Sequence, residues 1–115
     1  MAQRQLDAYN AHDLEAFLLC YAEDVEVRRL PGGESIAAGR AGMRKVYGDL
    51  FASRPGRRAD LLARMECGRF CVDHERVSDG PGTPDRFAVA IYECEGGWIR
   101  RVWFPPVAEE GPGGA

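Results

Sequence analysis

The stretch FAVAIYECEGGWIRRVWF, residues 87–104, decides the architecture. Phe87, Val89 and Ile91 fall on one side of an extended chain, and Ala88, Ala90 and Tyr92 fall on the other. Gly96-Gly97 gives a tight turn, Trp98 to Phe104 returns as a second strand, and Pro105-Pro106 stops it. Two long strands joined by so short a turn pair antiparallel. A strand apolar on both faces is covered on both; helices cover one face only, so the other needs a partner, most simply a second copy of the chain. Trp103 and Ile99 share a parity and add apolar surface to the face away from the helices.

Moving upstream, Asp79 to Asp85 (DGPGTPD) is a loop. Before it lie two further runs of strand character, Ala59 to Glu66 and Phe70 to Val77, separated by Gly68. The four runs make an antiparallel meander. The first third of the chain is helical in pattern. Leu6 and Tyr9 mark a short first helix, His12-Asp13 interrupts it, and Asp13 is a good N-cap for a second helix. Leu14, Phe17, Leu18 and Tyr21 recur at helical spacing, which predicts that this second helix ends near Glu23-Asp24. Val25 and Val27 begin a strand. Pro31-Gly32-Gly33 turns it, and Ser35 to Ala38 returns beside it. Met43, Val46, Tyr47, Leu50 and Phe51 form the face of a third helix that Arg54-Pro55-Gly56 ends. Three helices set against one face of an antiparallel sheet give an α+β fold. Residues 1–107 read as one domain, and 108–115 (AEEGPGGA) as a disordered tail.

Composition narrows the function. A chain of 115 residues buries roughly 65% of its unfolded surface, enough for a core and one cavity. The net charge of -3 argues against a nucleic-acid binder, whose footprint is basic. No apolar run reaches the ~18 residues of a membrane span, and the N-terminal MAQRQLDAYNAHD lacks the apolar segment of a signal peptide. The expected location is the cytoplasm. Cys20, Cys67, Cys71 and Cys94 show no metal-binding spacing and read as buried free thiols. No metal and no cofactor are expected.

The element order, with NAHDLEAF near the start, AEDVEV into the first strand and WIRRVWF at the end, resembles the nuclear transport factor 2-like superfamily. The SnoaL-like and steroid delta-isomerase-like branch is the nearest match, over roughly residues 3–107. The resemblance implies a cone: a curved antiparallel sheet wrapped around three N-terminal helices, an apolar pocket inside, and a homodimer through the outer sheet face. The superfamily includes ketosteroid isomerases, polyketide cyclases, hydrolases, dehydratases and non-enzymatic modules, so the site must supply the function. In the ketosteroid isomerases a helix tyrosine and a protonated aspartic acid donate to an oxyanion, and an aspartate moves the proton. Laid on this chain, the tyrosine position falls on Gln5. The base falls on Arg29, or on Arg28 after a one-residue slip, and the protonated acid falls near Ala90. Arginine is no base at neutral pH, so that mechanism is not expected here.

Other polar groups are candidates. In CVDHERV, residues 71–77, alternation places His74 with Phe70, Val72 and Arg76, and places Asp73 and Glu75 opposite. Two unpaired acids under the helices would be costly. The expected arrangement therefore has the acids outside and His74 in the pocket, as a general acid or base. Tyr9 is its expected partner, as a donor to a ligand carbonyl. The resemblance places Gln5, Phe17 and Tyr21 on the helical wall. It places Val72, Arg76, Ala90, Tyr92, Arg100, Val102 and Phe104 on the inner faces of the strands. These residues imply a small apolar, carbonyl-bearing ligand and acid/base isomerisation, cyclisation or hydration. The other reading is a non-catalytic ligand-binding or dimeric assembly module, and an enclosed cavity with converging polar groups separates the two.

Overall fold

The computed structural model describes residues 1–107; the tail expected over 108–115 lies outside the described residues. The elements run α1 (Ala2–Asn10), α2 (Leu14–Leu18), β1 (Tyr21–Arg29), β2 (Ser35–Ala38), α3 (Gly39–Ser53), β3 (Arg58–Cys67), β4 (Phe70–Ser78), β5 (Arg86–Glu95) and β6 (Trp98–Phe104). The fold is α+β. One curved six-stranded sheet, in the order β2-β1-β6-β5-β4-β3, wraps the helices. β3 to β6 form the expected antiparallel meander. β6 also pairs parallel with β1, which joins the N-terminal half of the chain to the meander. No helix among the described residues is long and apolar enough to cross a membrane.

Asp13 caps α2 as expected, its carboxylate accepting from the Ala16 amide at 3.1 Å. α2 is shorter than the periodicity predicts. Tyr21 opens β1, pairing with Ile99, and the Ile99 amide donates to the Cys20 carbonyl. Strand pairing with β6 therefore wins over helical spacing at that point. The α1–α2 corner turns on His12, which holds a left-handed backbone (φ 53°). Its Nε2 lies 2.7 Å from the Arg57 carbonyl, to which it donates, and its ring stacks on Phe51 at 4.9 Å. The core lies between helices and sheet and centres on Phe17, Val25, Val27, Met43 and Ile99.

The four cysteines are free. Cys20 and Cys71 are buried, but Cys67 is exposed because it closes β3 at the tip of the β3–β4 hairpin. Both tryptophans lie away from the interior of the cone. Trp98 is exposed, and Trp103 lies in a cross-strand row with Ile91, Val72 and Met65 on the outer face.

Candidate functional site

A cavity of about 370 Å³ opens between the helices and the inner face of the sheet. That is the small end of the roughly 300–1,000 Å³ typical of ligand pockets. α1 supplies Gln5, Leu6 and Tyr9, and α3 supplies Met43, Tyr47 and Leu50. Each set has the i, i+4 spacing that brings side chains to one helix face. The sheet supplies Tyr21, Val27, Glu75, Ala88, Tyr92, Val102 and Phe104. Phe17 packs against Tyr47 at 4.9 Å and Tyr21 at 5.0 Å, which makes the helical wall aromatic.

Gln5 organises the polar end of this cavity. It is 4% exposed. Its side-chain carbonyl accepts from the Tyr21 hydroxyl at 3.2 Å, and its amide donates to the Tyr92 hydroxyl at 3.0 Å and to the Ala2 carbonyl at 3.0 Å. Tyr92 therefore accepts from Gln5 and keeps its own proton for another partner. Burial raises Tyr9, Tyr21, Tyr47 and Tyr92 above the ordinary phenol value, and the Glu75 charge pushes all four the same way. They stay protonated and can donate. On Tyr9 the Arg57 guanidinium opposes the effect of burial without cancelling it.

Glu75 is the one carboxyl among the residues that line the cavity. It is 7% exposed and lines the cavity from the middle of β4. Among the described residues no arginine or lysine pairs with it. Burial, reinforced by the charge of Asp73 and opposed by Arg64, pushes it up from 4.5 to about 7. Near neutral pH it can therefore give or take a proton. Asp73, two residues earlier on the same face, is fully buried but answered. Arg64 reaches it through two bonds of 2.7 and 2.9 Å and also donates to Gln3 at 2.9 Å. Asp73 is a structural ion pair; Glu75 faces open space.

This arrangement reverses the expected face of β4. Cys71, Asp73 and Glu75 point inward and Val77 lines the cavity, while Phe70, His74 and Arg76 are exposed on the outside. The expectation rested on the cost of burying two acids. Arg64 removes that cost for Asp73, and a raised pKa removes it for Glu75. His74 lies on the outer face, opposite Ala63 and Val89, with its ring 6.1 Å from Phe87. It does not meet Tyr9. Val72 joins the outer apolar row. Arg76 is held outside near Asp60 and Asp85, at 3.8 and 3.9 Å.

Arg100 is also outside the cavity, paired with Asp24 at 3.4 Å and Glu95 at 3.6 Å. A register shift between Glu93 and Cys94 breaks the alternation there, so Ile99 is buried on the inner side instead of sharing the outer face with Trp103. Ala90 points inward but is fully buried in packing and does not line the cavity. Gln5, Tyr9, Phe17, Tyr21, Tyr92, Val102 and Phe104 do line it, as does Arg29. Glu75, Tyr47, Arg57 and Arg86 join them unpredicted by the sequence pattern. The signal for the acids lies in the two-residue Gly68-Arg69 turn, which sets Arg64 opposite Asp73.

Solved structures share this fold. An uncharacterised cystatin-fold protein from Novosphingobium aromaticivorans is 28% identical, with a TM-score of 0.81 over 90% of this chain and 92% of that one. A putative ketosteroid isomerase from Kribbella flavida is 24% identical, with a TM-score of 0.78 over 96% and 78%. A putative polyketide cyclase from Sinorhizobium meliloti is 18% identical, with a TM-score of 0.75 over 90% and 91%. No curated protein matches the chain. The family model of the SnoaL-like domain matches residues 2–102, nearly the whole described chain. With its helices inside a curved sheet and its cavity between them, the chain belongs to the SnoaL-like domain family.

Proposed function

We propose that this protein binds a small apolar, carbonyl-bearing molecule in its cavity and moves a proton on it. The outcome is isomerisation, cyclisation or hydration. One observation carries the reading: Glu75, an unpaired and nearly buried carboxyl pushed up to about 7, faces a cavity ringed by four protonated tyrosines. Glu75 takes a proton from the carbon beside the carbonyl, and the oxygen that gains charge accepts a hydrogen bond from Tyr92, whose proton Gln5 leaves free. Glu75 then returns the proton at the product position. The structural likeness to a putative polyketide cyclase and a putative ketosteroid isomerase supports a small-molecule role. The base is placed on β4, since the ketosteroid isomerase pattern puts its own base on Arg29 or Arg28, and arginine is no base at neutral pH. This chain is accordingly not a ketosteroid isomerase of the tyrosine–aspartate type.

The test is proton exchange on a simple apolar ketone. Wild-type protein should accelerate deuterium uptake beside the carbonyl of 2-tetralone in D₂O, followed by NMR. Glu75→Gln should lower that rate by about 100-fold or more, and His74→Ala should leave it unchanged. Equal exchange by wild type and Glu75→Gln would reject the reading.

The same molecule is proposed to work as a homodimer through the outer face of the sheet. The supporting observation is the apolar row Met65, Val72, Ile91 and Trp103, which crosses four strands on that face.

A further inference from the structure

We infer, resting on the cavity reading above, that the ligand is an apolar acid. Its apolar body fills the cavity, and its carboxylate is held at the mouth by Arg29 and Arg86. Three arginines line the cavity: Arg29, Arg57 and Arg86. Arg57 is already committed. It is nearly buried and grips Asp79 through two bonds, of 2.5 and 3.1 Å, and Arg54 lies 3.8 Å from the same carboxylate. Asp79, whose carboxylate also feels the charge of Arg86, is already held by Arg57 and Arg54. Arg29 and Arg86 are both exposed. Among the described residues, neither Arg29 nor Arg86 has an ion pair or a side-chain hydrogen bond.

Placement gives the ligand a direction. Arg29 ends β1 beside Phe104, and Arg86 opens β5 opposite Val77. Val77 is two residues beyond Glu75 on the same strand face, so Arg86 lies toward the mouth and Glu75 lies deeper. Between them the lining is apolar: Val77, Ala88, Val102 and Phe104. A neutral ligand would leave both guanidinium groups unused, and a cationic one would be repelled by them. A carboxylate answers both, because the planar guanidinium fork matches its two oxygens.

The experiment compares two probes of matched shape, 2-naphthylacetate and the uncharged 2-naphthylacetamide, titrated at pH 7 with affinities read from NMR shifts. Wild-type protein should bind the anion on the order of tenfold more tightly than the amide. In the double variant Arg29→Met, Arg86→Met the ratio should fall to near one. Because it is a ratio measured on one folded sample, it separates loss of charge recognition from loss of fold. Equal binding of both probes by wild-type protein overturns the acid assignment and leaves the cavity reading standing. Binding of neither probe at millimolar concentration overturns both. A double variant that keeps the wild-type ratio removes Arg29 and Arg86 from the assignment.

Discussion

Glu75 and Asp73 are the same kind of group on the same face of one strand, two residues apart. Their fates differ because only one has an arginine opposite. The pH dependence of stability should show this. The Glu75 carboxyl ionises near 4.5 in the unfolded chain and near 7 in the folded one. Below 4.5 both states hold the proton and nothing is lost. Between 4.5 and 7 the unfolded state releases it first, so rising pH favours unfolding, and above 7 the loss is constant. Glu75→Gln has no such proton. Its stability relative to wild type should therefore rise by about 3 kcal/mol between pH 4 and pH 9, as read from urea denaturation at each pH. A flat difference would place Glu75 in a far more solvated setting. Asp73 predicts a different behaviour. Arg64→Met leaves a fully buried carboxylate without its partner and should cost about 3 kcal/mol or more. Adding Asp73→Asn should recover part of that loss, because the stranded charge is then gone.

At the scale of elements, the chain announces most of its plan. Gly68-Arg69 and Gly96-Gly97 fall between runs of alternating residues, so β3 to β6 are legible with nearly their observed bounds. The 3.6-residue pattern of Met43, Tyr47 and Leu50 likewise gives α3 and its inward face. Two features were not legible. The parallel pairing of β1 with β6 joins segments some seventy residues apart, and no local pattern records it. The inward face of β4 is hidden because both faces carry apolar residues, Phe70 and Val72 on one and Cys71 and Val77 on the other. Hydrophobicity cannot choose between them, and the choice falls to Arg64 on the neighbouring strand. The helical side of the candidate site, Gln5, Tyr9 and Phe17, could be read from the sequence. The residue proposed to do the chemistry could not, because it stands one place along from a histidine, the residue type most often used as a general acid or base.

At the scale of the whole molecule, the proposed homodimer rests on the row from Met65 to Trp103. A dimer on this face should bury about 1,600 Å² in total. Light scattering at micromolar concentration should give twice the chain mass, and Ile91→Arg, which places a charge in the middle of the row, should return the mass to that of one chain. A monomeric wild type would reject the dimer. The placement of the aromatic residues also gives the molecule two separate optical reports. All four tyrosines, Tyr9, Tyr21, Tyr47 and Tyr92, line the cavity, whereas Trp98 and Trp103 lie outside it. A ligand entering the cone should perturb tyrosine ultraviolet absorbance, and dilution of the dimer should shift tryptophan emission excited where tyrosine is transparent. Occupancy and assembly can thus be followed at the same time, on one unlabelled sample, by the colour of the light.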